Sequence, residues 1–119
     1  MMHFEYTVNH DSVVKSGWCD AHSYKDAIAA AKTDFIYVVW NLRPSIAQLS
    51  RFKLRMRELR SASVKVRLAP GSLRRYAELQ KEEANHSLTT LESKQLSEFR
   101  NYFKEKDGTQ SLHGLAAHN

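Results

Sequence analysis

The sequence predicts a small α+β domain, and three observations carry that reading. His3-Phe4-Glu5-Tyr6-Thr7-Val8-Asn9 alternates apolar and polar side chains, as a half-buried strand does. Ala27-Ile28-Ala29-Ala30-Ala31 is a run of strong helix formers. After Ser45, apolar residues recur at intervals of three and four, the spacing of one helix face. The expected order is an N-terminal strand pair, helices, a short strand, and a C-terminal helix pair.

His10-Asp11-Ser12 is a turn, and Val13 to Ala21 pairs back as the second strand, with Gly17 as a weak point or bulge. Ser23 can cap a helix, and Asp26, three residues on, suits the positive helix N-terminus. Ile28, Ala31 and Phe35 hold helical spacing, so this helix extends to about Leu42. Trp18, Tyr24, Tyr37 and Trp40 are assigned to the N-terminal core.

The stretch FKLRMRELRSASVKVRL, residues 52–68, reads as helix or as strand, and both readings oppose an apolar face to a basic one. Ile46, Leu49, Phe52, Met56 and Leu59 favour a helix from Ser45 to about Arg60, entered through Pro44. Ser61-Ala62-Ser63 then leads into a strand, Val64 to Leu68. Pro70-Gly71-Ser72 opens a third helix that faces Leu73, Tyr76 and Leu79 inward and ends near Glu83. Asn85-His86-Ser87 is a turn and cap. A fourth helix follows, with Leu88, Leu91, Leu96, Phe99 and Phe103 as its apolar side, and Asp107-Gly108 stops it.

A length of 119 residues supports one core. The expected organisation is a strand-strand-helix-helix unit over 1–62, a strand-helix-helix module over 63–107 that can be continuous with it, and a flexible tail over 108–119. With 42% apolar and 26% charged residues, a globular chain is the expectation. No apolar run approaches the roughly 18 residues of a membrane span, so no membrane is expected. One cysteine, Cys19, excludes an intrachain disulfide framework; with no visible secretory signal, a cytoplasmic location is expected.

The charge is unevenly placed. Residues 43–75 hold ten cations, eight of them arginine, against the single acid Glu58; the rest of the chain holds eight cations against twelve acids. A one-signed segment attracts phosphate, an acidic protein surface or anionic lipid, and arginine favours forked contacts to phosphate, carboxylate or guanine. The candidate nucleic-acid contacts there are Arg51, Lys53, Arg55, Arg57, Arg60, Lys65, Arg67, Arg74 and Arg75.

Catalytic chemistry finds little footing. The four glycines are isolated, so there is no phosphate-cradling loop. Cys19 and His22 form one C-x-x-H pair without the further ligands a zinc site needs. No enzyme activity, metal or cofactor is expected.

The segment 63–103 has a further outline. Val64-Lys65-Val66-Arg67-Leu68 forms a short ribbon, Pro70 opens one helix, and Asn85-His86-Ser87 opens the next. This resembles the ribbon-helix-helix family of DNA-binding repressors and antitoxins. The resemblance implies a homodimer whose paired ribbons enter the major groove, with Lys65 and Arg67 reading bases and Ser87, Thr89 and Thr90 holding backbone phosphate. It favours DNA over RNA and a transcriptional regulator as the role. The alternative from the residues is a small phage or mobile-element protein whose basic face binds and inhibits an acidic site on a host protein.

Overall fold

The computed structural model describes residues 1–118, with side chains through residue 108. β1 (Met2–His10) and β2 (Val13–Ala21) form an antiparallel hairpin in unbroken register from Met2 opposite Ala21 to His10 opposite Val13. Asp11 and Ser12 make the two-residue turn, both at positive φ, 48° and 66°. That backbone matches the twist of the two strands but strains residues that carry a Cβ. β3 (Ser63–Leu68) pairs antiparallel with the other edge of β1, Phe4 opposite Leu68 and Asn9 opposite Ser63. The sheet order is β2-β1-β3, so the segments 1–62 and 63–107 share one sheet.

Four helical segments complete an α+β fold: α1 (Tyr24–Trp40), α2 (Leu49–Glu58), α3 (Pro70–Asn85) and α4 (Thr90–His118). Short 3-10 turns, Ile46–Gln48 and Leu59–Ser61, flank α2. Ser23 caps α1 by accepting from the Asp26 amide, as its spacing predicts. α1 stops at Trp40 because Asn41 turns into the left-handed region.

The core lies on one face of the sheet. Met2, Phe4, Tyr6 and Val8 alternate inward from β1 and meet Ala27, Ala31, Phe35 and Ile36 of α1. Val66 and Leu68 extend this face across β3, and Leu79, Leu96, Phe99 and Tyr102 close it from α3 and α4. Phe4 and Tyr102 pack with ring centroids 5.2 Å apart. The alanines of α1 carry little side chain, so that helix can lie close on the sheet. No helix among the described residues is long and apolar enough to cross a membrane.

Several expectations are corrected. Ile46 is fully exposed, and Leu73 and Leu91 are also exposed, although all three hold helical spacing. Periodicity defines a face, but does not say how much of it neighbouring elements cover. Trp18 is 57% exposed and Tyr37 is exposed as well, while Tyr24 and Trp40 pack against the core. Trp18 stands opposite Glu5, on the sheet face that the helices leave open. The fourth helix does not stop at Asp107-Gly108 but runs to His118. An isolated glycine costs a helix only about 1 kcal/mol relative to alanine. The side chains of the expected flexible tail, beyond Gly108, lie outside the described residues.

Gly17 is not a bulge. It stands opposite Tyr6, and a Cβ there would lie 2.8 Å from the Tyr6 hydroxyl and 2.9 Å from its ring. Tyr6 cannot yield easily, because it is buried and its hydroxyl donates to the Asp34 carboxylate on α1. Gly17→Ala is therefore expected to destabilise the fold by about 1–3 kcal/mol, measured as a lower urea midpoint at unchanged slope. Ser12→Gly should act oppositely, gaining about 0.5 kcal/mol by relieving the positive φ.

Candidate functional site

α2 carries the densest positive charge, and two core residues set its orientation. Phe52 and Leu59 are buried, and Met56 packs beside them. With that stripe inward, Lys53 and Arg57 fall one turn apart on one flank and Arg51 and Arg55 on the other, while Leu54 points outward at 56% exposure. Leucine, arginine, methionine and glutamate favour helix here. Arg55 and Arg57 in the last turn also suit its negative end. The alternating strand begins only at Ser63, after the 3-10 turn.

The ten cations of the basic window divide into two groups. Arg55 lies 4.5 Å above the Trp40 ring and pairs with Glu58 at 3.0 Å. Arg43 lies 4.4 Å above Tyr37 and donates to its hydroxyl. Arg67 pairs with Glu5 at 2.5 Å, and Arg75 bridges α3 and α4 by donating to Gln95. Among the described residues, Arg51, Lys53, Arg57, Arg60, Lys65 and Arg74 have neither an ion pair nor a side-chain hydrogen bond, and all six are exposed. Four of these six lie on α2 and the turn after it.

Lys65 and Arg67 lie apart from the helices, on the open face of the sheet. Glu5 stands between Trp18 and Arg67, and Thr7 between Ser16 and Lys65. These six side chains line a shallow depression of about 550 Å³. Trp18 and His3 stack at 5.2 Å with their planes 2° apart, and His3 Nδ1 meets Asp20 at 2.5 Å. The sequence holds the signal for this face, since the residues between Phe4, Tyr6 and Val8 must point away from the core. Trp18 was missed because an aromatic beside apolar residues reads as core.

The α4 start differs from the expected phosphate grip at Ser87, Thr89 and Thr90. Its cap is Thr89 rather than Asn85-His86-Ser87. Thr89 Oγ1 accepts from the Glu92 amide at 3.2 Å, and the Glu92 carboxylate accepts from the Thr89 amide at 3.0 Å. Glu92 thus occupies the place an anion would take. Its hydrogen bond with Glu82, then those with the Thr89 backbone and hydroxyl, push its pKa down to about 2. The same Glu92 contact first, then desolvation, raises that of Glu82. A helix start holding two carboxyls disfavours phosphate, so these three positions are not part of the interface proposed below.

Cys19 and His22 do not converge. The Cys19 thiol lies 3.8 Å from the Ala27 carbonyl oxygen, with its pKa raised by burial and then by Asp20, while His22 faces Glu98. Compared with known proteins, the chain finds no significant match among family models, curated proteins or solved structures.

The Thr89–Glu92 cap has a testable acid dependence. The folded pKa of Glu92 lies below its unfolded value, so this contribution is complete above roughly pH 4.3. It is lost as the pH falls toward about 2. Glu82→Ala should move the Glu92 midpoint up toward the ordinary carboxylate range in a carboxyl-detected NMR titration. An unmoved midpoint would mean that Thr89 alone sets it. Thr89→Ala should cost about 1 kcal/mol of stability at neutral pH.

Proposed function

We propose that this chain is a non-catalytic nucleic-acid-binding protein whose phosphate contacts come from α2 and the turn that follows it. The carrying observation is that Arg51, Lys53, Arg57 and Arg60 are exposed and find no ion-pair partner among the described residues, while Glu58, the one acid of the segment, is already held by Arg55. Like charges one turn apart, such as Lys53 and Arg57, disfavour a helix by a few tenths of a kcal/mol. Folding alone gives no reason to concentrate them. An anionic polymer does, because each neutralised phosphate releases condensed counterions.

The ribbon-helix-helix resemblance would dock the protein through β3. β3 has one open edge, where a second copy's ribbon could pair. The resulting sheet would be six strands wide, roughly 24 Å at about 4.8 Å between strands. A B-form major groove is about 12 Å wide. The α2 surface has no such constraint, and it is the surface we assign to phosphate.

A second reading has its own observation. Ile46, Leu49 and Leu54 are exposed apolar side chains in the same segment as the cations. Apolar groups beside arginine suit an acidic protein surface better than a phosphate backbone. The inhibitor-like alternative therefore uses the same segment.

The test is binding to duplex DNA, to one of its strands, and to an RNA hairpin across a salt series. Affinity should fall linearly with log salt. Lys53→Gln/Arg57→Gln should flatten the slope by roughly 1.8 for the duplex or 1.4 for the single strand, at about 0.9 or 0.7 per phosphate. No binding to any of the three at low salt would overturn the proposal and leave the acidic-protein reading.

A further inference from the structure

We infer that the open face of the sheet is a base-stacking surface, so that the nucleic acid this chain binds is single-stranded. The inference rests on the phosphate-binding reading of α2 and goes beyond it by naming the form of the polymer. Every helix that builds the core lies on the other face, which leaves Trp18 at 57% exposure on a three-stranded platform.

The arrangement around Trp18 suits a base. His3 covers one face of the indole, at 5.2 Å and 2°. The register puts His3 and Asp20 in the row on one side of Trp18, and Ser16, Thr7 and Lys65 in the row on the other. Trp18 also lines the open depression, where a base would extend the His3–Trp18 stack. Thr7 and Ser16 hydroxyls, 3.1 Å apart, line the floor as donors and acceptors for a base edge.

The charges agree. Both acids of this face are already engaged, Glu5 with Arg67 and Asp20 with His3. Lys65 is the cation left over, and it favours an anionic occupant. The platform is also joined to the α2 flank by the chain itself. Arg60 and Lys65 are five residues apart, at most about 18 Å between Cα atoms. One strand could keep its phosphates on the α2 flank and along β3 while its bases turn toward Trp18. A duplex cannot do this, because its bases are stacked on each other. Recognition by aromatic stacking needs the bases unpaired.

The two tryptophans, Trp18 and Trp40, make the test direct. Trp40→Phe leaves Trp18 as the only tryptophan, which excitation at the red edge of the aromatic band selects over the tyrosines. Its fluorescence should be quenched by an oligodeoxythymidylate of about fifteen nucleotides, within the site size of small single-strand-binding folds. Trp18→Ala should weaken that oligomer roughly tenfold, leave the duplex affinity unchanged, and be largely rescued by Trp18→Phe. Melting curves of both variants would confirm folding, which the exposure of Trp18 favours. Unmoved Trp18 emission at saturation, or full affinity in Trp18→Ala, would overturn the stacking surface and leave the α2 reading standing. If the parent chain binds no nucleic acid at low salt, both readings fall together.

Discussion

The fold depends on a single strand that is paired along both edges and has two different faces. β1 joins β2 on one side and β3 on the other, so it fixes the position of both. Its even-numbered residues, from Met2 to Val8, are the centre of the core. Its odd-numbered residues, His3, Glu5 and Thr7, organise the open face. A slip of one residue in its register would exchange the two sets. Phe4 and Val8 would then meet solvent, and Glu5 would enter a core that holds no buried charged side chain among the described residues.

That constraint explains why Gly17 and Tyr6 belong together. A wide aromatic ring on the central strand needs space on the neighbouring strand, and the missing Cβ of Gly17 provides it. The ring also reaches across the layer to Asp34, joining the sheet to α1 through a hydrogen bond as well as through apolar contact. A glycine that would ordinarily weaken a strand thereby permits a tighter joint between sheet and helix.

Much of this was legible in the sequence, and several of the failures share one physical origin. Alternation exposed β1, the Ser23 cap marked the start of α1, and three-and-four spacing separated α2 from β3 in a stretch that supports either structure. These signals are local, and local chemistry decides them. Ile46, Leu73 and Leu91 carry the same periodic signal, yet no neighbouring element buries them. Trp18 fails for the same reason: its composition matches a core residue, while its position opposite Glu5 puts it on the uncovered side. At the α4 start, Asn85-His86-Ser87 and Thr89 are both chemically competent caps. Thr89 prevails because Glu92 lies three residues on and returns the hydrogen bond to its amide. The basic window was legible as a total, but the split between paired and free cations depends on acids as distant in sequence as Glu5.

The location of the free charge follows from the core. Phe52 and Leu59 fix the rotation of α2, and that rotation decides which of its cations meets the Trp40 ring. Arg55 falls over Trp40 and beside Glu58 and is held there; Lys53 and Arg57, on the opposite flank, are left facing water. Had the apolar stripe been one position out of phase, a different pair would have been left free. The turn after α2 then delivers the chain into β3, where the outward positions again carry cations. The same packing that buries the apolar residues thus leaves Lys53, Arg57, Arg60 and Lys65 as exposed positive charge spaced along the chain. It ends on the face of the sheet where the one widely exposed tryptophan stands.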